Sequence, residues 1–369
     1  MHRTVKPLAI IIIVLLAAAI VTGYFYARET MDLPHISPGS AQTAPIIITQ
    51  TFPFEKGNVT LTVPIDAAVY YGAKSADKSV SIYGNISEKT WVSASYLAMT
   101  NDAAQDKMYA DLITRFRMIR DEQNLSSDEY LELIAAYTQS LTYETTPDNP
   151  AKFPIETVVD GAGDCDDKSL LLAGLLSREG YKVALFSFSK ESHMALGIGS
   201  TGSLYRNTGY AYLETTNFSY TGIAPDELKG GTPLTSEPLV IPIGDGSIVY
   251  SSGEQTAYIH DIFIGSKENV QDLEPQIEPL AISLNTQKDQ IARLESRMQT
   301  LKNEGNFMAY NSQVSGHNKL VEDYNSRLAT CRHLITQYEK WVNIHNYIIS
   351  HAYDRKGTYE WVKANTPVK

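Results

Sequence analysis

GDCDDKSLLLAGLLSREG, residues 163–180, joins a cysteine ringed by aspartates to a run too apolar to face water on any side. Leu170, Leu171, Leu172, Leu175 and Leu176 cover most of a helix circumference, which predicts a helix buried all round. Ala173 and Gly174 allow close neighbours, and Gly180 is a natural C-terminal stop. Asp164 can cap, so Cys165 falls in the first turn. There, unpaired N–H groups and the positive end of the helix dipole favour a thiolate. The flanking Asp164, Asp166 and Asp167 oppose this, because nearby negative charge favours the neutral thiol. A positive partner is therefore needed, and imidazolium is the usual one.

Three strands are expected after this helix: KVALFSF (182–188), HMALGIG (193–199) and GYAYLETT (209–216). In the second, Met194, Leu196 and Ile198 point one way, to the core, while His193, Ala195 and Gly197 point the other. Glu214 lies in the next strand, positioned to orient the imidazole. Cys165 at a helix tip, His193 and Glu214 on neighbouring strands make the nucleophile, base and orienting acid of an acyl-transfer triad. A further strand, PLVIPIG, and a short SIVY segment close the region.

FPIETVVDGAGDCDDKSLLLAGLLSREGYKVAL resembles the segment that leads into and along the nucleophile helix of the transglutaminase-like superfamily, whose core is papain-like. It is especially similar to the bacterial and archaeal transglutaminase-like cysteine peptidases. HMALGIG resembles the family's histidine strand and YLETT the strand bearing its third triad member, so the resemblance covers residues 137–228. It implies Cys165 as nucleophile, His193 as general base and Glu214 as orienter. Ala195 stands where the eukaryotic members have Trp, and Glu214 where Asp is commoner, which separates this chain from the protein-crosslinking members. The oxyanion hole would use the backbone N–H of Cys165 and a side-chain donor, for which Gln139 is the candidate. No cofactor is required. Asp164, Asp166 and Asp167 are weak candidates for calcium, against a reading as cap and solvated surface; Glu156 reads as a loop anchor.

Residues 7–27 (PLAIIIIVLLAAAIVTGYFYA) carry no charge and match the roughly 20 residues that span a bilayer. Arg3 and Lys6 precede them, which predicts a cytoplasmic tail (1–6), a single-pass anchor and an extracytoplasmic remainder. The apolar run is longer than that of a cleaved signal peptide and ends without a small-x-small site. Residues 28–45, rich in Pro, Ser and Gly, read as a tether. Residues 46–105 read as a small β-rich region, with NVTLTVPI and AVYYG as strands. A catalytic domain is expected over 106–262, opening with a helix over 106–123 whose stripe is Met108, Leu112, Phe116 and Ile119. A second helix follows, capped by Ser126 and Glu129 and carrying Leu131, Ile134 and Tyr137 inward.

Residues 266–352 read as an antiparallel coiled-coil hairpin. One seam is Ile277, Leu280, Leu284, Gln287, Ile291, Leu294, Met298 and Leu301. The other is Tyr310, Val314, His317, Val321, Tyr324, Leu328, Cys331, Ile335, Tyr338 and Val342, with a turn at Gly305 and Asn306 and a tail over 353–369. His317 and Cys331 are thus packing residues. The fold class expected is α+β: an N-terminal transmembrane helix, a buried nucleophile helix against an antiparallel sheet, and a helical hairpin.

The 369 residues, 43% hydrophobic and 20% charged, suffice for more than one folded unit. A net charge of −11 with no long basic run excludes nucleic acid as a partner. Cys165 and Cys331 allow one disulfide at most and no zinc cluster. Asn58, Asn85, Asn124 and Asn217 open sequons that fit either glycosylation or chance. The expected function is a membrane-anchored cysteine hydrolase or acyltransferase acting on peptide or amide bonds of cell-surface proteins, with the hairpin self-associating or docking a partner. The alternative is an inactive fold of the same type used for binding or assembly.

Overall fold

The computed structural model describes residues 29–39, 44–145, 150–228 and 231–367. The expected tail and anchor (1–27) lie outside the described residues, among which no helix is long and apolar enough to cross a membrane. The chain is α+β and divides into two units, Met1–Thr256 and Ala257–Lys369.

The first unit begins with β1 (Thr30–Asp32), β2 (Ile46–Phe54), β3 (Gly57–Ile65), α1 (Ala67–Ser75), β4 (Ser81–Tyr83) and α2 (Glu88–Asn101). β1 pairs antiparallel with β4, Ile36 is buried, and its backbone N–H donates to Asp102 Oδ2 at 2.8 Å. Residues 30–36 are therefore part of the folded unit, not tether: the composition of a segment does not reveal a partner strand fifty residues away. β2 and β3 form a hairpin whose inner face (Phe52, Phe54, Val59, Leu61, Val63, Ile65) is buried. On its outer face, cross-strand hydroxyl pairs Thr49–Thr62 and Thr51–Thr60 stand 3.1 and 2.8 Å apart. AVYYG, expected as a strand, is helix α1. The Asp66 side chain accepts from the Ala68 N–H as its N-cap, and capping outweighs the β-preference of Val69, Tyr70 and Tyr71. Nor is 46–105 a separate region. Phe52 packs edge-on against Tyr137 at 5.7 Å, and one hydrophobic core runs from the β2–β3 hairpin through the helices that follow.

Next come α3 (Asp106–Gln123), α4 (Ser127–Ser140), β5 (Thr142–Tyr143), α5 (Pro154–Asp160), β6 (Ala162–Gly163) and α6 (Cys165–Arg178). The stripe Met108, Leu112 and Phe116 is buried, and Ser126 and Glu129 close the capping box ahead of α4. Then follow β7 (Val183–Phe188), β8 (His193–Ile198), β9 (Ala211–Leu213), the short β10 (Glu227–Leu228) and β11 (Thr232–Pro233), and β12 (Leu239–Ile243). β12, β7, β8 and β9, in that order, make one antiparallel sheet. Met194, Leu196 and Ile198 pack with the α6 leucines in the main core. Phe186, Phe188, Ala195 and Tyr212 form a second cluster on the opposite face. Each fully buried leucine of α6 contributes about 1.5–3 kcal/mol, so this helix is a principal anchor of the unit.

The second unit rests on α7 (Gly253–Asn303), α8 (Phe307–Ser350) and α9 (Arg355–Asn365). α7 starts at Gly253, before the expected hairpin at 266, and carries Pro275 and Pro279 inside it. Cross-helix contacts such as Gln287 Nε2 to Asp323 Oδ2 (2.8 Å) and His317 Nε2 to Glu295 Oε1 (3.2 Å) set α7 and α8 antiparallel. Leu284, Gln287, Met298 and Cys331 are buried on the seam. His317 is a cross-helix polar pair more than a packing group, and Ile335 turns out to solvent at 36% exposure. The expected tail is instead the helix α9, whose Trp361 stacks on Tyr347 with ring centroids 3.8 Å apart.

Candidate active site

Asp164 caps α6 by accepting from the Asp167 N–H, and the Asp167 carboxylate accepts in return from Asp164 N, which leaves Cys165 as the first residue of the helix. The thiol is half-buried, with Sγ 4.0 Å from the carbonyl oxygen of Ser192. Both cysteines are free thiols. His193 opens β8 directly after Ser192, which adopts the left-handed region at φ 49°. The imidazole stacks on Phe188, its cross-strand partner, with centroids 6.0 Å apart. Glu214 follows the last residue of β9 and is buried. Its Oε1 accepts from Thr215 N, Thr216 N and Thr216 Oγ1 at 2.9, 2.8 and 2.6 Å. Cys165, His193 and Glu214 all line one cleft of about 330 Å³. Cys165, Ser192 and His193 also wall a second cleft of about 630 Å³, which holds Tyr96, Asp164 and Asp166.

His193 Nε2 stands 3.8 Å from Glu214 Oε2. The hydroxyl of Tyr212 bridges them from one side, 3.0 Å from Nε2, and donates to Oε2 at 2.9 Å.

Gln139, the expected oxyanion donor, does not face the thiol. It is buried, and its Nε2 donates to the carbonyls of Glu214 (2.8 Å) and Ser219 (3.2 Å). An amide committed to two carbonyls has no proton left for an oxyanion. Gln139 instead holds the loop that carries Glu214. The N–H groups that favour a thiolate at Cys165 are backbone ones, those of Met194 and Asp166.

Of the three aspartates, Asp164 and Asp166 have carboxylate oxygens within 4.8 Å of each other and of Sγ. Asp167 is withdrawn, accepting from Lys152 N at 2.6 Å and from Asp164 N at 3.2 Å. Calcium takes six to eight oxygens, and this cluster offers two carboxylates beside a thiol that a hard cation does not favour. Glu156 takes its expected anchoring role: it accepts from Phe153 N at 2.9 Å and pairs with Lys78 at 3.1 Å.

The electrostatics define the resting state. Burial, then the charge of Asp166 and Asp164, pushes the Cys165 thiol up to about 12, against the N–H groups of Met194 and Asp166. Burial, then the hydrogen bond and charge of Asp164, pushes Asp166 up to about 9. Below that pH Asp166 carries a proton and its repulsion of a thiolate disappears. Burial lowers the His193 pKa while Glu214 and Glu191 pull it back up, so the ring is neutral near pH 7 and free to accept a proton.

Three residues escaped the sequence reading. Tyr212 precedes Glu214 by two positions and so shares its strand face, which was the available signal. Lys168, one turn beyond Cys165, is fully buried, and its Nζ donates to the carbonyls of Gln139, Leu141 and Thr216. Glu191, in the turn before His193, accepts from the backbone N–H groups of Thr235 and Ser236 at 3.1 and 2.8 Å and from the Ser236 hydroxyl. It ties the histidine turn to the loop ahead of β12.

No protein-family model, no curated protein and no solved structure matches this chain.

Proposed function

We propose that the first unit is a cysteine hydrolase or acyltransferase of transglutaminase-like type, acting on a peptide or carboxamide bond and held at the outer face of a membrane by residues 7–27. The observation that carries this reading is the gathering of Cys165, His193 and Glu214, far apart in sequence, on the wall of a single cleft. The four-stranded antiparallel sheet against the α6 helix supports a papain-like core.

In this reading the resting pair is thiol and neutral imidazole, so proton transfer accompanies attack. The Cys165 sulfur adds to the substrate carbonyl as its proton passes to His193. The tetrahedral intermediate collapses to a thioester as imidazolium returns that proton to the leaving amine. Water, deprotonated by His193, then adds to the thioester and releases the acid and the free thiol. Two clefts meeting at the sulfur leave room for substrate on both sides of the bond, as an extended polypeptide of the cell surface requires.

The thiol's direction, toward the Ser192 carbonyl, favours the competing reading of an inactive binding module. Iodoacetamide labelling of the full-length protein in detergent, with mapping of the alkylated residue, separates the two. The hydrolase reading expects alkylation at Cys165, blocked in Cys165→Ala and slowed in His193→Gln. Labelling at Cys331 alone, or a rate at Cys165 that ignores His193, refutes it.

A further inference from the structure

We infer that Tyr212 is a positioning residue that selects the reactive tautomer of His193, with Glu214 acting on the imidazole through the phenol and not by direct contact. The inference rests on the hydrolase reading of the cleft and adds which ring nitrogen is the base.

The argument is a count of protons. Three donors converge on Glu214 Oε1, and Oε2 receives the Tyr212 hydroxyl at 2.9 Å, so the carboxylate accepts on both sides. A phenol has one proton. Having given it to Oε2, the Tyr212 oxygen can only accept from His193 Nε2, 3.0 Å away. Nε2 therefore carries the proton of the neutral ring, and Nδ1 is left bare as the base. A direct bond between Nε2 and the carboxylate is not made, because they stand 3.8 Å apart.

The phenol is well suited to this place. Its ring is fully buried, packed at 5.4 Å from Tyr205 and 6.4 Å from Phe186, on the strand next to the one bearing His193. Burial and the neighbouring carboxylate both raise its pKa, so the proton stays on oxygen when the imidazole becomes positive. The carboxylate then steadies the imidazolium from 3.8 Å without taking its proton. The other ionisable groups lining the cleft with the ring are Glu191 in its own turn, Cys165, Tyr143 and Glu227.

The test is the nitrogen NMR spectrum of full-length protein labelled with ¹⁵N-histidine, with His193 assigned by its absence in His193→Gln. The wild type is expected to show His193 with Nε2 protonated and Nδ1 bare. Tyr212→Phe is expected to lose this bias, giving a mixture of tautomers. In parallel, iodoacetamide alkylation of Cys165 should slow by about tenfold or more, as when the group that orients a catalytic imidazole is removed. A wild-type ring protonated on Nδ1 overturns the inference, as does a phenylalanine variant with unchanged tautomer and rate. If Cys165 fails to alkylate even in the wild type, the hydrolase reading falls while the tautomer still decides the role of Tyr212. If the variant misfolds, the wild-type spectrum decides by itself.

Discussion

Replacing Lys168 with methionine should change the pH dependence of stability in a way that no other nearby group can imitate. Lys168 is 0% exposed, and its ammonium donates to Gln139 O (3.2 Å), Leu141 O (2.9 Å) and Thr216 O (3.3 Å). The first two carbonyls close the negative end of α4, and the third borders the Glu214 loop. Burial lowers its pKa from 10.5 to about 8, with Glu214 acting in the opposite direction. The folded value lies below the unfolded one, so the unfolded chain binds more protons between them, and stability from this group rises with pH across that interval. At about 1.4 kcal/mol per unit, carrying a buried ammonium costs about 3 kcal/mol below pH 8, a cost that fades as the pH approaches 10.5. Methionine fills a similar volume and lacks the term. At neutral pH the variant leaves three carbonyls without their donor, at about 1–3 kcal/mol each, but escapes the ammonium penalty, so the net loss is about 0–6 kcal/mol. The gap between wild type and variant should then widen by about 2 kcal/mol from pH 8 to about pH 9.5. Urea unfolding of both proteins at a series of pH values measures it. Tyrosine ionisation is common to both and cancels. A gap that stays constant or narrows refutes the placement of a charged, desolvated ammonium under the site.

Gly174→Ala should destabilise the first unit, because an added methyl would overlap the Tyr109 hydroxyl and sit 2.5 Å from its Cζ. Overpacking costs about 1–3 kcal/mol against at most about 1 kcal/mol of helix propensity gained, and a thermal melt at or above wild type would refute it. Glu191→Gln should speed amide exchange at Thr235 and Ser236 while leaving β7 and β8 unchanged. Ser236, by its hydroxyl and then its N–H, holds the Glu191 carboxyl down at about 2. The wild-type protection should therefore be complete above pH 4.5 and vanish as the pH falls through about 2; protection that ignores pH sinks the clamp.

Much of the architecture could be read from periodicity and caps. The α3 stripe, the Ser126–Glu129 box, the leucines of α6 and the alternation of β8 are local patterns, and local patterns survive translation into structure. The seam of α7 and α8 held from Leu284 to Cys331 because a heptad fixes which side meets a partner. It failed at Ile335, and α7 begins at Gly253, ahead of the expected start at 266. The misreadings share one cause. AVYYG became a helix because of a cap two residues upstream, and 30–36 joined the core because of β4 and Asp102.

The order of Cys165, His193 and Glu214, with a cap before the first and alternation around the second, is written in the chain and was enough to nominate the site. What the chain could not disclose is which polar group ends beside which. Gln139 turned to two carbonyls, Tyr212 bridged imidazole and carboxylate, and Lys168 went under the helix end. Hydrogen bonds reach about 3 Å and depend on direction, so their partners emerge only once distant segments have packed and each buried donor has found an acceptor.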